Sequence, residues 1–433
     1  MTPTLHALSL RDASAGIARG EFSARELSAA QLARAASVDP GIHAWATLDP
    51  DRIRSEAARC DRSQVHAEIA GVGVGVKDII DTADLPTEMG AEIFAGNQPT
   101  DDASCVARLK AAGGYVFGKT TTTAFAFMDP AKTRNPWHAG HTPGGSSSGS
   151  AAAVAAGEVN VALGTQTNGS VIRPAAYCGV VGFKPSRGWA DYAGVFVFSE
   201  TFDTLGTFTR SVADAALIAS VLADSGRIGA TADTLSRAPR LAYLREFPWT
   251  RVEGDAADAL DAAATRLRQA GAEVTPVEMS EALRTAHLAH RTIMLFEGAK
   301  RLNPVRTRNP GRMPKKLDAA LDDARAISPD AYRAASEERR AAIEACMRWL
   351  APYDAILCPP ATSGAPAGLE STGDPGCCTL WSFTGFPAIA LPIGMDARGL
   401  PLGLQLATIG GADNRLLAVA QWCETCMPFT GLV

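Results

Sequence analysis

Two serines stand in Gly- and Ser-rich surroundings, where hydroxyl chemistry is to be expected. Ser146 lies in the run Pro143-Gly-Gly-Ser-Ser-Ser-Gly-Ser150, and Ser170 follows 24 residues later in the run Thr167-Asn-Gly-Ser170. A flexible linker is the alternative, but linkers are not normally followed by an Ala-rich helical segment, a strand and a second Gly-Ser turn. A serine hydroxyl can attack a carbonyl carbon when a neighbouring base accepts its proton. The pattern therefore points to nucleophilic catalysis.

One shorter pattern in the same region suggests a different nucleophile. Gly145-Ser-Ser-Ser-Gly149 matches the elbow of α/β-hydrolases, which needs a strand before it and an acid and a histidine after it. The Pro- and Gly-rich residues 135–143 are not a central strand, and the downstream histidines, His287 and His290, lie together in one helical segment. We therefore do not favour this interpretation.

A longer set of motifs carries a resemblance to a known family. Together they resemble the sequence signatures of the amidase signature family of serine hydrolases. The matching segments, in family order, are Gly75-Val-Lys77-Asp78, residues 143–157, residues 163–185, Asp203-Thr-Leu-Gly206 and Phe383-Thr-Gly-Phe-Pro387. With the neighbouring residues they extend from 70 to 406, so the resemblance covers most of the chain.

The resemblance implies a catalytic role for three side chains. Ser170 is similar in position to the nucleophile, Lys77 to the base, and Ser146 to a bridging serine that follows a cis peptide bond, here after Gly145. Chemistry supports the lysine: burial lowers its pKa from about 10.4, because desolvation disfavours the ammonium form, and a neutral amine can activate a serine. Lys77 ends an apolar Gly/Val strand, where burial is expected. No metal or organic cofactor is implied.

The turn before Ser170 is expected to bind the oxyanion of the reaction. A helix start is predicted near Arg173, so the backbone N–H groups of Thr167, Asn168 and Gly169 are free to point at one site. These three residues are therefore the candidate oxyanion hole.

Two residues of this turn depart from the family pattern. Gln166 stands where an acid is usual, and Asn168 stands where glycine is frequent. Gln166 is also found in a subset of the family that includes malonamidase-like amidases of similar length. The likeness suggests that Arg173 holds a substrate carboxylate. The alternative is a buried arginine paired with an acid such as Asp203, since the guanidinium fork binds carboxylates in a bidentate way.

The order of helices and strands favours an α/β fold. A capping box at Ser23-Ala-Arg-Glu26 predicts a helix start, and residues 330–350 form a long amphipathic helix. The resemblance implies one large amidase domain over residues 1–433, with a central mixed, mostly parallel β-sheet flanked by α-helices. We expect a helical N-terminal segment (1–65), a catalytic core (70–210) and a remainder of the same domain (240–433).

Composition excludes several classes of protein. With 46% hydrophobic and 20% charged residues, the 433-residue chain can bury a large core. The formal net charge of −5 argues against a dedicated nucleic-acid binder, and no apolar run reaches the ~18 residues of a membrane span. The nine cysteines are scattered and odd in number, unlike a disulfide framework. We expect a cytoplasmic protein with neither nucleic acid nor membrane as partner.

One stretch of the chain is locally basic. No acid lies between Glu297 and Asp318, and three prolines interrupt the stretch. Its basic residues are Lys300, Arg301, Arg306, Arg308, Arg312, Lys315 and Lys316. We expect a solvated surface loop, and contact with RNA or another anionic partner is the alternative.

The function that these observations favour is hydrolysis of a small-molecule carboxylic amide. Ser170 would form an acyl-enzyme, and the assembly is expected to be a homodimer. Ester and carbamate substrates stay open. So do two other functions: an amidotransferase A-like subunit with RNA-linked partners, and a catalytically silent binding protein on the same fold.

Overall fold

The computed structural model describes residues 4–63, 67–224, 227–427 and 429–432, and the strands of these residues join in one eleven-stranded sheet. The strands are β1 (Trp45–Thr47), β2 (Gly73–Lys77), β3 (Tyr115–Thr120), β4 (Ala162–Gln166), β5 (Val181–Lys184), β6 (Thr204–Thr209), β7 (Arg240–Tyr243), β8 (Glu273–Pro276), β9 (Ala355–Cys358), β10 (Ala388–Met395) and β11 (Pro401–Ala407). The helices are α1 (Leu10–Ala18), α2 (Ala24–Ile42), α3 (Pro50–Ser63), α4 (Ser104–Ala111), α5 (Ser148–Ala155), α6 (Ile172–Cys178), α7 (Val212–Leu222), α8 (Gly254–Gln269), α9 (Ala286–Arg308), α10 (Lys315–Asp323), α11 (Pro329–Leu350), α12 (Thr379–Thr384) and α13 (Asp413–Thr425).

Serine caps mark the start of several helices. The predicted capping box of α2 is present: Ser23 Oγ accepts from Glu26 N, and the Glu26 carboxylate accepts from Ser23 N. Ser211 caps α7 and Ser328 caps α11 in the same position, each accepting from the N–H three residues further on. A side-chain acceptor there satisfies an N–H that has no partner within the helix.

The strand order is β1-β3-β2-β4-β6-β5-β10-β11-β9-β7-β8. Among the described residues four pairs are parallel and six are antiparallel. The predicted α/β fold with one mixed sheet is confirmed, whereas the expected majority of parallel pairs is wrong. Parallel neighbours need a helical crossover, but the centre of the sheet, from β4 to β9, is antiparallel throughout and includes the β10–β11 hairpin.

The two faces of the sheet are covered by separate apolar clusters. On β10, Ile389 and Leu391 belong to one cluster, whereas Ala388 and Ala390 belong to another. Because successive strand residues point to opposite faces, each cluster covers one face. The second cluster also contains Ala151–Ala155 of α5. The helix that follows Ser146 therefore packs on that face of the sheet.

The basic stretch differs from expectation, because most of it is helical. Residues 300–308 are the end of α9, which continues through Pro304, and Lys315 begins α10. The prediction of a surface loop is therefore wrong for these residues. Leu302 is buried, as are Ile293 and Leu295 about two turns earlier, and this burial holds α9 against the core. Tertiary packing of this kind outweighs the local effect of a proline. None of the helices in the described ranges combines the length and apolarity that crossing a bilayer requires.

Candidate active site

Two neighbouring parallel strands deliver the first part of the site. β2 and β4 pair in parallel, so Lys77 at the end of β2 lies beside Thr165 near the end of β4. Lys77 is fully buried, and its Nζ lies 2.7 Å from Ser146 Oγ and 2.9 Å from Thr165 Oγ1. Both partners are neutral hydroxyls, so neither one holds the proton on the amine by charge.

The protonation of Lys77 follows from this burial. Burial lowers the pKa of Lys77 to about 7, and the nearby Asp203 carboxylate partly opposes the shift. Burial also raises the pKa of Asp203 to about 6, against hydrogen bonds from Thr167 and from backbone N–H groups. Near neutral pH a large fraction of Lys77 is therefore an uncharged amine that can accept a proton.

Ser146 is positioned by the loop that leads into α5. The peptide bond between Gly145 and Ser146 is cis, as the resemblance implied. The two serines that follow tie the loop down: Ser147 Oγ donates to Thr165 O at 3.2 Å, and Ser148 Oγ donates to Gly144 O at 2.7 Å. Ser146 itself is 2% exposed.

Ser170 lies in the turn between β4 and α6 and lines a narrow cavity of about 60 Å³. The walls include the side chains of Phe127, Met128, Phe198, Met294 and Arg173. Ser170 is 8% exposed, whereas Lys77 is fully buried. The structure thus places Lys77 and Ser146 in contact, and it shows no hydrogen bond between Ser146 and Ser170 in the described part of the chain.

The backbone of this turn presents consecutive N–H groups. The carbonyl oxygens of Thr167, Asn168 and Gly169 accept, in that order, from His290 Nε2 at 3.1 Å, Ser382 Oγ at 2.5 Å and Arg173 N at 3.0 Å. In a trans peptide the N–H points opposite to the C=O, so the next N–H in each case points away from these donors. Those N–H groups have no acceptor among the described residues. They belong to Asn168, Gly169 and Ser170, which include two of the three predicted residues, and the role of Thr167 stays a prediction.

Gln166 has a role that a carboxylate would not reproduce. Its Oε1 accepts from Val171 N at 2.8 Å and Ile172 N at 3.0 Å, which satisfies two N–H groups at the start of α6. Its Nε2 donates to Ser382 Oγ at 3.0 Å, which an acid at this position does only when protonated and then by an O–H. The departure from the family pattern therefore links α6 to α12.

Arg173 is buried but lacks the predicted acidic partner. It is 4% exposed, and its Nη2 donates to Gly145 O at 2.7 Å and to Thr372 Oγ1 at 3.2 Å. Its Nε and Nη1 have no hydrogen-bond partner among the residues that the structure describes. The alternative pairing with Asp203 is wrong, because the Asp203 carboxylate instead accepts from Thr167 Oγ1 and Phe198 N.

The structure adds two residues that sequence reasoning did not assign to the site. The Asp203 carboxylate accepts a hydrogen bond from Thr167 Oγ1, and His290 Nε2 donates one to Thr167 O. Burial lowers the pKa of His290 to about 4, so the ring is neutral and Nε2 carries the donated proton. Asp203 lies in a matching motif that could have flagged it, whereas no local pattern marks His290. Within the described ranges no three His, Cys, Asp or Glu side chains are grouped as metal ligands.

A buried lysine beside a serine, near a turn with free N–H groups, is the arrangement of an enzyme that transfers acyl groups through serine. The chain belongs to the amidase family, since its residues 26–417 match that family. The resemblance drawn from the motifs is thus confirmed. The family's enzymes are hydrolases and amidotransferases that act on C–N bonds.

Individual relatives cover nearly the whole chain. The chain is 33% identical to the A-type subunit of glutamyl-tRNA(Gln) amidotransferase from Roseiflexus sp. (strain RS-1), over 96% of this chain and 95% of that protein. Its structure is similar to that of an amidase, with a TM-score of 0.90 and 28% identity over 97% of this chain and 100% of the other. It is also similar to peptide amidase from Stenotrophomonas maltophilia, with a TM-score of 0.82 and 29% identity over 97% of each chain.

Proposed function

We propose that this protein is an amidase that hydrolyses a small, carboxylate-bearing amide through an acyl-enzyme on Ser170. The observation that carries the proposal is the buried Lys77 amine, 2.7 Å from Ser146 Oγ and 2.9 Å from Thr165 Oγ1. An amine with a pKa near 7 is suited to general-base catalysis at neutral pH.

The proposed reaction uses the site in a fixed order. Neutral Lys77 accepts a proton from Ser146 as Ser146 accepts one from Ser170, whose Oγ attacks the amide carbon. The oxyanion is bound by the N–H groups of the 167–170 turn, and the relayed proton passes to the departing amine. Water then cleaves the Ser170 ester with the same base. A hydrogen bond between Ser146 and Ser170 is expected to form when substrate binds, since catalytic hydrogen bonds tighten in the complex.

The shape and charge of the cavity support a small anionic acyl group. Of the described residues that line it, Arg173 is the only charged one, and two of its nitrogens lack partners. A substrate carboxylate would supply the missing acceptors through charge-assisted hydrogen bonds. The volume of about 60 Å³ restricts the acyl portion to a few heavy atoms.

Covalent labelling tests the nucleophile. A fluorophosphonate should label the wild-type chain, and Ser170→Ala should remove the label and amide turnover without unfolding the protein, because one hydroxyl is lost from a turn. Ser63→Ala, at an exposed helix end, is the matched control and should label normally. A Ser170→Ala variant that keeps a tenth of wild-type turnover would rule out the assignment. Failure of the wild type to label would favour a catalytically silent binding protein.

An amidotransferase A-like subunit is the second candidate. It is favoured by the 33% identity to the Roseiflexus protein, which extends over 96% of this chain. Glutamine, the usual ammonia donor in such a reaction, has an α-ammonium as well as a carboxylate. No Asp or Glu is among the described residues of the cavity to pair with that ammonium, which favours the hydrolase. Glutamine-dependent amidation of glutamyl-tRNA(Gln) by a reconstituted complex would establish the amidotransferase and replace the expectation of no nucleic-acid partner.

The assembly and the compartment are further proposals. All nine cysteines are free thiols, which suits the reducing cytoplasm. A homodimer remains a prediction, and sedimentation equilibrium of the purified chain measures it directly.

A further inference from the structure

A second cavity, of about 570 Å³, lies beside the active-site cavity. We call it the basic cavity, after Arg187, Lys300 and Arg301, which line it together with the apolar Phe296 and Pro304. Lys300 and Arg301 belong to the basic stretch of the sequence, for which the proposed reaction has no use. Both residues lie in the helical end of α9, so their side chains line one cavity instead of belonging to a surface loop.

The positive charge of the basic cavity is unpaired. None of the three basic side chains comes within 4 Å of an acid in the described part of the chain, although Glu200 and Glu297 line the same cavity. The Glu297 carboxylate is already engaged by Ser199 Oγ, Thr201 N, Thr201 Oγ1 and Tyr332 Oη. Arg187 Nε is buried and has no hydrogen-bond partner within the described ranges. The cavity therefore holds three basic side chains and two acidic ones, of which the Glu297 carboxylate is already saturated with donors.

Aromatic rings back the guanidinium groups. The Arg187 guanidinium lies 4.9 Å from the ring centre of Tyr192, and that of Arg301 lies 5.8 Å from the ring centre of Phe196. Such contacts hold a guanidinium in place, and Arg187 Nη2 is fixed further by donating to Glu200 O at 2.7 Å. The cations are thus positioned for a ligand, and Phe198 provides an apolar wall shared with the active-site cavity.

We propose that the basic cavity binds an organic anion with an apolar body, held by Lys300, Arg301 and Arg187. The volume lies within the range of small-molecule sites, about 300–1,000 Å³. The anion has two sources with the same chemistry: the distal end of a long amide substrate, or a separate small molecule. Binding itself does not depend on the proposed reaction.

Calorimetry of the full chain with naphthalene-2-sulfonate tests the binding. Saturable binding is expected, and the neutral 2-naphthalenemethanol should bind at least about tenfold more weakly, from loss of charge-assisted hydrogen bonds. The double variant Lys300→Gln/Arg301→Gln should weaken sulfonate binding about tenfold. The matched control is Arg308→Gln/Arg312→Gln, which removes the same charge from the basic stretch outside the cavity. It should change the affinity by less than about twofold.

Two results would overturn the proposal: no saturable binding at millimolar sulfonate, or equal weakening by both double variants. Competition with fluorophosphonate labelling of Ser170 then separates the two sources. Competitive protection identifies the distal end of a substrate, and unchanged or non-competitive labelling identifies a separate molecule. If the wild type does not label at all, the proposed reaction fails while the calorimetric result stands.

Discussion

At the residue scale, Lys77 has its pKa set by two opposing effects. Complete burial lowers the pKa, and the Asp203 carboxylate raises it, with a net value of about 7. Since only the neutral amine accepts a proton, kcat/KM for a neutral amide should rise with pH through about 7 and then level off. A pH–rate profile between pH 5 and 9 measures this, and a flat or falling profile would contradict the base assignment.

Substitutions of Lys77 distinguish a proton-accepting role of this side chain from a purely electrostatic one. Lys77→Met should remove most turnover, and Lys77→Arg should not restore it, because a guanidinium stays protonated over the whole range. The effects of Lys77→Met and Ser146→Ala should also be strongly non-additive, because both residues act in one relay. Substantial activity in Lys77→Arg would refute proton acceptance at this position.

Arg173 is the residue whose environment differs most from the simple expectation for a buried arginine. Because no acid of the described residues pairs with it, Arg173→Ala leaves none of their carboxylates unpaired, and the melting temperature should hardly change. For a carboxylate-bearing amide, kcat/KM should fall ~10²-fold, from loss of hydrogen bonds worth about 1.5–3 kcal/mol. The amide that lacks the carboxylate is the control substrate and should be nearly unaffected. Equal losses on both substrates would instead point to a role in holding Gly145 O.

At the scale of elements, the turn between β4 and α6 depends on helices from distant parts of the chain. α9 supplies His290, which binds Thr167 O, and α12 supplies Ser382, which binds Asn168 O. Each bond fixes a peptide plane and thereby the direction of the following N–H. The oxyanion-binding geometry is thus a property of three packed elements rather than of the turn alone.

A substitution at His290 tests this dependence. His290→Phe keeps the ring that stacks on Phe202 but removes the donor to Thr167 O. We expect kcat to fall about tenfold with KM little changed, because the lost constraint affects a group that binds the transition state. His287→Phe is the matched control: its ring stacks on Trp249 and does not contact the turn. A rise in KM without a fall in kcat, or an equal fall in kcat in the control variant, would exclude a positioning role.

At the scale of the whole molecule, α5 and the sheet approach each other closely at a glycine. A Cβ on Gly149 would lie 2.1 Å from Ala44 O and 2.4 Å from Thr121 N, distances that only a backbone shift can relieve. Gly149 N also donates to Thr121 O at 2.9 Å. The segment that carries Ser146 is therefore held by direct backbone contact between α5 and the core.

Gly149→Ala should lower the free energy of unfolding by about 1–3 kcal/mol or more, because overpacking forces the backbone apart. Gly254→Ala is the matched control, since Gly254 begins α8 and nothing lies within 4 Å of its Cβ position. That substitution should be neutral or slightly stabilising, since alanine favours helix. Urea midpoints measure both changes, and equal midpoints would show that the close approach carries no stability.

The sequence by itself determined those features that depend on local spacing. The motifs around Lys77, Ser146 and Ser170 identified the family, and the capping box located the start of α2. The order of helices and strands also predicted the α/β fold, and the resemblance to the family implied the mixed sheet. These features could be predicted because each motif or element lies within a few tens of residues of sequence.

Only the tertiary structure decided which residues meet across the chain. His290 and Thr167 are 123 positions apart, and Gln166 and Ser382 are 216 positions apart, so no local pattern records either contact. The same holds for the free guanidinium of Arg173 and for the helical end of α9. Packing free energy is summed over distant partners, and it outweighs local propensity wherever an apolar face such as that of α9 can be buried.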